Sequence, residues 1–180
     1  MRISTASDDS STQNVDPWNY VHSPDDDNRK AILLSELPSN KYQNVLSIGC
    51  GSGFITSDLP GRQIIGIDSS KQAILKASEI SSTASSKRVK FIQGSILELP
   101  QDVKDKSFDL IVITGVLYSA NIGRALNLVY LNIDAVLSPD GIIASAHIAD
   151  LYHASFPYLS LKSVTYNYRE HNHILELYVK

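Results

Sequence analysis

Val45-Leu46-Ser47-Ile48-Gly49-Cys50-Gly51-Ser52-Gly53 is the stretch that decides the fold. An apolar run passes into three glycines at alternate positions, and Phe54 opens what reads as a helix to Leu59. Glycine suits such a turn because it reaches positive φ and leaves the main chain open to a ligand. Taken alone, the glycines would also fit a plain tight turn. A second apolar run, Ile64-Ile65-Gly66-Ile67, ends in Asp68, 19 positions after Gly49. A carboxylate there can accept hydrogen bonds from both hydroxyls of a ribose. It would equally cap a helix entered through Ser69-Ser70, and one side chain can do both.

Working outward, further strands are expected at Val89–Gln93, Phe108–Thr114 and Ile142–His147. Most are continuous β-branched runs rather than alternating ones, the mark of strands buried on both faces of a parallel sheet. Helices are expected between them at Ser70–Ser82 and Asn121–Leu137, with Ser81–Ser86 a helix end passing into a solvated loop. Beyond Asp150, Ser163–Tyr168 and Ile174–Val179 alternate on either side of Arg169–His173. That pattern predicts an antiparallel hairpin with His171 and His173 in its turn. Upstream, a helix from Asn28 to Leu37 stops before Pro38, and Asp25-Asp26-Asp27 read as solvated charge favourable to its dipole. Residues 1–14 read as a disordered polar tail, 15–42 as an N-terminal helical cap, and 43–180 as the main domain. The expected fold is α/β: a doubly wound, mostly parallel sheet with an antiparallel C-terminal hairpin.

The chain of 180 residues suits one domain, and 43% hydrophobic with 19% charged residues is ordinary for a soluble protein. A net charge of −3 argues against a partner gripped through its phosphate backbone, so no nucleic acid is expected. No apolar run approaches the roughly 20 residues of a membrane span, and the polar N-terminus does not read as a secretory signal. A cytoplasmic location is the default expectation. Cys50, the single cysteine, excludes an internal disulfide and reads as a small residue of the glycine turn. His147, Asp150 and His153 match neither common zinc signature, so no metal is expected.

A glycine turn followed by a strand-end carboxylate fits either a dinucleotide or an adenosylmethionine site. The dinucleotide fingerprint wants glycine after Gly53, where Phe54 stands. The later blocks are Gly94-Ser95-Ile96-Leu97-Glu98-Leu99-Pro100, Phe108-Asp109-Leu110-Ile111-Val112 and Ser138-Pro139-Asp140-Gly141. With these blocks in this order, residues 43–149 resemble the class I S-adenosylmethionine-dependent methyltransferases, which implies a Rossmann-like methyltransferase fold. Within that superfamily the sequence looks most like the NodS-type N-methyltransferases, which methylate an amino sugar of lipo-oligosaccharides. The narrower likeness rests on Asp16-Pro17-Trp18, Asn28-Arg29-Lys30, Val116-Leu117-Tyr118 and His147.

By the resemblance, Gly49, Gly51 and Gly53 would line the methionine part of S-adenosylmethionine, Asp68 would hold its ribose, and Ser95 with Ile96 would flank its adenine. Thr114 would stand near its amino group, and Ser69, Arg29 and Trp18 complete the expected cofactor contacts. Ser95 departs from the family, which commonly has an acidic residue there to accept from the adenine amino group. The absence of an Asn/Asp-Pro-Pro-Tyr block after the fourth strand argues against methylation of adenine or glutamine amide nitrogens. The expected acceptor is an amine, or a hydroxyl, of a small molecule or saccharide; oligomeric state stays open.

An amine must be uncharged to attack a methyl group, and His147 is the candidate to take its proton. Tyr118 is the candidate to orient the acceptor, with Trp18 and Tyr20 closing over it. Each has a plain alternative: His147 as a packed strand-end residue, Tyr118 and Trp18 as packing aromatics. Two other functional classes stay open, a non-catalytic binding module on the same fold and an NAD-linked oxidoreductase, the latter disfavoured by Phe54.

Overall fold

The computed structural model describes residues 23–83, 88–151 and 155–180. Trp18, Tyr20, His153 and the tail expected at 1–14 lie outside the described residues, as does most of the loop after Ser82. Helix α1 (Pro24–Glu36) precedes β1 (Tyr42–Ile48), β2 (Gly61–Asp68), α2 (Lys71–Thr83) and β3 (Val89–Gln93). Then come α3 (Gln101–Lys104), β4 (Phe108–Thr114), α4 (Ser119–Ile122), α5 (Leu126–Val136), β5 (Leu137–Ile148), β6 (Leu159–Tyr168) and β7 (His171–Val179). The seven strands form one sheet in the order β3-β2-β1-β4-β5-β7-β6. Strands β1 to β5 are parallel, while β7 runs antiparallel to both β5 and β6. The expected doubly wound sheet with its antiparallel hairpin is therefore the observed one.

Successive residues of the inner strands serve opposite faces, which explains their unbroken apolar runs. Val45, Ile64, Leu110, Val112 and Ala144 pack with Leu33 of α1 on one face. Leu46, Ile67, Ile111, Ile113 and Ile143 pack with Val129 and Ile133 of α5 on the other. Leu33 and Ile133 are both within 1% of complete burial, so the first helix belongs to the core it covers.

Four local expectations are corrected. The helix expected at Phe54–Leu59 is a single 3-10 turn, Thr56–Asp58. The chain leaving it is held by a side chain: the Arg88 guanidinium donates to the Ser57, Leu59 and Gly61 carbonyls at 2.6, 2.9 and 3.0 Å. The helix expected at Asn121–Leu137 is split by Gly123, whose φ of 51° no helix accommodates. The terminal hairpin turns on Arg169-Glu170 alone, with Arg169 at φ 53°, so His171 and His173 lie in β7 rather than in the turn. Finally, α1 begins at Pro24, with Ser23 accepting from the Asp25 amide at 3.3 Å, so the three aspartates form its first turn. Asp25 and Asp27 are exposed as expected, but Asp26 is only 2% exposed.

Candidate functional site

Parallel strands bring their carboxyl ends to one edge, where Ile48, Asp68, Gln93, Thr114 and Ile148 terminate. The glycine turn leaves β1 there and is tied to β2, because the Gly49 and Cys50 amides both donate to the Ile67 carbonyl, at 2.9 and 3.0 Å. Its three glycines do different work. A Cβ on Gly49 would stand 2.3 Å from the Thr114 carbonyl oxygen, so the turn presses against the end of β4. A Cβ on Gly53 would strike the Phe91 ring at 2.6 Å. At Gly51, with φ 52°, a Cβ would meet nothing within 4 Å. Gly49 and Gly53 are glycine for packing, whereas Gly51 faces open space.

The Asp68 carboxylate turns toward that space. One oxygen accepts from the Gly51 amide at 2.9 Å and the other from the Ser70 amide at 2.9 Å. The start of α2 is capped by Ser70, whose hydroxyl accepts from the Ala73 amide at 3.2 Å. Each carboxylate oxygen has a further acceptor position, which suits a pair of ligand hydroxyls. Ser69, exposed beside it, accepts from the Gln93 side-chain amide through its carbonyl at 3.0 Å. Thr114 donates its hydroxyl to the Gly49 carbonyl at 3.0 Å, locking the turn to β4. Beyond it Gly115, at φ 67°, again has open space where a Cβ would be. Burial and the neighbouring Asp68 charge push the Cys50 thiol far up, so this cysteine is inert.

Ser95 and Ile96 lie in a closed turn after β3. The Ser95 amide donates to the Glu98 carbonyl at 3.3 Å, and the Glu98 amide returns to the Ser95 carbonyl at 3.2 Å and hydroxyl at 3.1 Å. The Ile96 side chain is buried.

At the far end of the same edge, Tyr118 accepts from the Ile148 amide through its hydroxyl at 3.4 Å, and burial raises its phenol so that it stays a donor. His147 is only 3% exposed, on the α5 face of the sheet, with Nε2 3.7 Å from a Glu176 carboxylate oxygen. Arg29 approaches this edge from α1 on the other face. Its guanidinium carbon lies 5.0 Å from the centre of the Tyr168 ring, and it hydrogen-bonds the Tyr166 side chain. The next residue, Lys30, pairs with Asp58 at 2.9 Å and stands 3.9 Å over the Phe54 ring, beside the glycine turn. Helix α1 therefore touches both the turn that follows β1 and the hairpin that ends the chain.

The sequence reading missed three side chains. Asp26 accepts from the Tyr168 hydroxyl and, at 3.3 Å, from Arg169. Glu176 faces His147. Asn132 of α5 reaches the carbonyls of the Ser95–Glu98 turn. Only Asn132 carried a signal, a polar residue beside the buried stripe of Val129, Ile133 and Val136. A cavity of about 690 Å³ opens at the opposite, amino edge between β2, β3 and α3. Its Lys90 pairs with Asp102 and its Arg88 holds three carbonyls, so these two cations are engaged internally, and the cavity lies away from the glycine turn.

Residues 39–176 match the family model described as a methyltransferase domain. No curated protein matches the sequence. Among solved structures, N-methyltransferase NodS from Bradyrhizobium japonicum WM9 is similar, with a TM-score of 0.75 at 21% identity over 88% of this chain and 97% of that one. The same enzyme in complex with S-adenosyl-L-homocysteine gives 0.74 at 22% identity, covering 93% of each chain. A putative methyltransferase from Pseudomonas syringae gives 0.68 at 23% identity over 86% of this chain and 98% of that one. At such identities the likeness is one of fold.

Proposed function

The chain belongs to the methyltransferase domain family, and we propose that it binds S-adenosylmethionine at the carboxyl edge of the sheet and methylates an amine, or a hydroxyl, of a small molecule or sugar. One observation carries the reading: the Asp68 carboxylate accepts from the Gly51 amide, so strand-end acid and glycine turn stand side by side at the carboxyl edge. The residues present fit the cofactor, because Gly51 and Gly115 leave space that any side chain would fill. The NodS enzyme, whose fold this chain shares, is described as bound to S-adenosyl-L-homocysteine, which supports the same ligand here.

When bound, S-adenosylmethionine supplies an electrophilic methyl group on a sulfonium whose departure needs no proton. The protein's task is then alignment, and positioning of this kind supplies roughly 7–11 kcal/mol in favourable cases. In this reading Gly49–Gly53 line the methionine end, Asp68 and Ser69 the ribose, and Ser95 with the Ile96 amide the adenine. Thr114 and Arg29 contact the amino-acid end, and Trp18 covers it. Tyr118, held as a donor, orients the acceptor. His147 takes the proton of an amine nucleophile, and Glu176 stabilises the imidazolium that results. An amine is favoured over a hydroxyl because an imidazole matches an ammonium in proton affinity far better than it matches an alcohol. The acidic chain suits a small or saccharide acceptor rather than a nucleic acid.

Titration calorimetry with S-adenosylhomocysteine tests this. Wild type should bind, and Asp68→Ala should weaken binding about 30- to 100-fold, the equivalent of two hydrogen bonds to a charged group. Failure of the wild type to bind would remove the cofactor assignment. Binding without methyl transfer from labelled cofactor to any compound of a cell extract would leave a binding module.

A further inference from the structure

We infer that Asn132 is a positioning residue of the cofactor site, fixing the turn that reads the adenine; the inference rests on the cofactor reading above. Its side-chain amide donates to the Ile96 carbonyl at 2.8 Å and to the Leu97 carbonyl at 3.1 Å, bridging 36 and 35 residues of sequence. The Ser95 carbonyl is already taken by the Glu98 amide. All three carbonyls of Ser95, Ile96 and Leu97 are therefore engaged from within the protein, while among the described residues the Ile96 amide meets no acceptor. A main-chain donor left in this state at the carboxyl edge is available to a ligand acceptor.

The arrangement answers the departure at residue 95. An aspartate or glutamate would recognise the adenine amino group through a charge-assisted bond. The Ser95 hydroxyl is weaker and already accepts from the Glu98 amide at 3.1 Å. Base selection then falls on the direction of one main-chain N–H. Adenine offers that N–H a ring-nitrogen acceptor, whereas hypoxanthine presents a protonated nitrogen at the same place. Discrimination between them survives only while the turn cannot rotate. Asn132 supplies that restraint from α5, where Val129 and Ile133 on either side of it are fully buried.

The experiment compares S-adenosylhomocysteine with S-inosylhomocysteine by calorimetry on the full chain, in wild type, Asn132→Asp and Asn132→Leu. Aspartate keeps the shape but turns an acceptor toward two carbonyls; leucine keeps the bulk without donors. Wild type should prefer the adenine ligand at least tenfold. Either variant should bind it about tenfold more weakly and lose most of that preference, to threefold or less. A variant that keeps the full preference overturns the inference, even if overall affinity or melting temperature falls, because a purely structural role would weaken both ligands alike. Wild type binding both ligands equally also overturns it, while the cofactor reading stands. Wild type binding neither defeats the cofactor reading itself. If Asn132→Asp does not fold, Asn132→Leu carries the same comparison.

Discussion

The carboxyl edge has two halves built in different ways. On the β1–β2–β3 side the walls are main chain: glycines at positive φ, amides bonded to the Ile67 carbonyl, and a closed turn at Ser95–Glu98. On the β5–β7–β6 side they are side chains drawn from distant parts of the sequence, as Asp26 and Tyr168 are, 142 residues apart. Main-chain walls tolerate little change and leave a short, recognisable motif. Side-chain walls can be rebuilt without touching the fold, which is where an enzyme of this architecture would vary its acceptor.

The sharpest test of that division is His147→Ala. If the chemistry lies on the side-chain half, turnover should fall 100-fold or more while cofactor affinity changes less than threefold, the range expected for loss of a general base. Equal turnover would return His147 to a packing role. On the main-chain half, Gly49→Ala should cost about 3–5 kcal/mol in thermal unfolding, since its methyl meets the Thr114 carbonyl at 2.3 Å and the backbone is left-handed. Gly51→Ala should cost only about 1 kcal/mol yet weaken S-adenosylhomocysteine at least tenfold, because its methyl enters the open space that the proposed cofactor would occupy. If both variants respond alike, the two glycines do not have separate roles.

Acid stability probes the other half. Burial, with Arg29 and His171 nearby, lowers His173 to about 4, so it stays neutral in the fold while the unfolded chain takes up a proton near 6.5. Its contribution is complete above pH 6.5 and is lost as pH falls toward 4, by roughly 3 kcal/mol. Denaturant melts across that window should show the slope in wild type and its disappearance in His173→Gln. The smallest effect is a gain: Ser95→Asp should tighten S-adenosylhomocysteine about three- to tenfold, by adding charge to the bond with the adenine amino group.

The same contrast explains what could be read from sequence. Strand β4 falls at its expected limits because two-sided burial writes an unbroken apolar run, and the edge strand β3 does so with no fully buried residue. Gly51 and Asp68 meet as expected, since a glycine turn and a strand-end acid on adjacent parallel strands have little freedom to do otherwise. Two of the corrected elements have local causes, Gly123 within the expected helix and the Ser23 cap of α1, while burial of Asp26 needs a long-range partner. Arg88 ties down the chain from Ser57 to Gly61, and Tyr168 with Arg169 buries an aspartate that composition assigns to solvent. Polarity alone places His173 in a turn, yet the rings of Tyr166 and Tyr168 enclose it at 5.6 and 5.0 Å. Glu176 gave no warning at all.

The link between Asp26 and the terminal hairpin also sets an order of assembly. A nascent or truncated chain ending before Lys162 would carry α1 with a carboxylate that has neither its phenol nor its guanidinium, and Glu36 would lack its lysine. Contacts across such sequence separations form late, because loop closure precedes their reward. The contacts that tie the first helix to the last two strands are therefore expected to be among the last to form, whereas Leu33 can pack on β1, β2 and β4 before the hairpin exists.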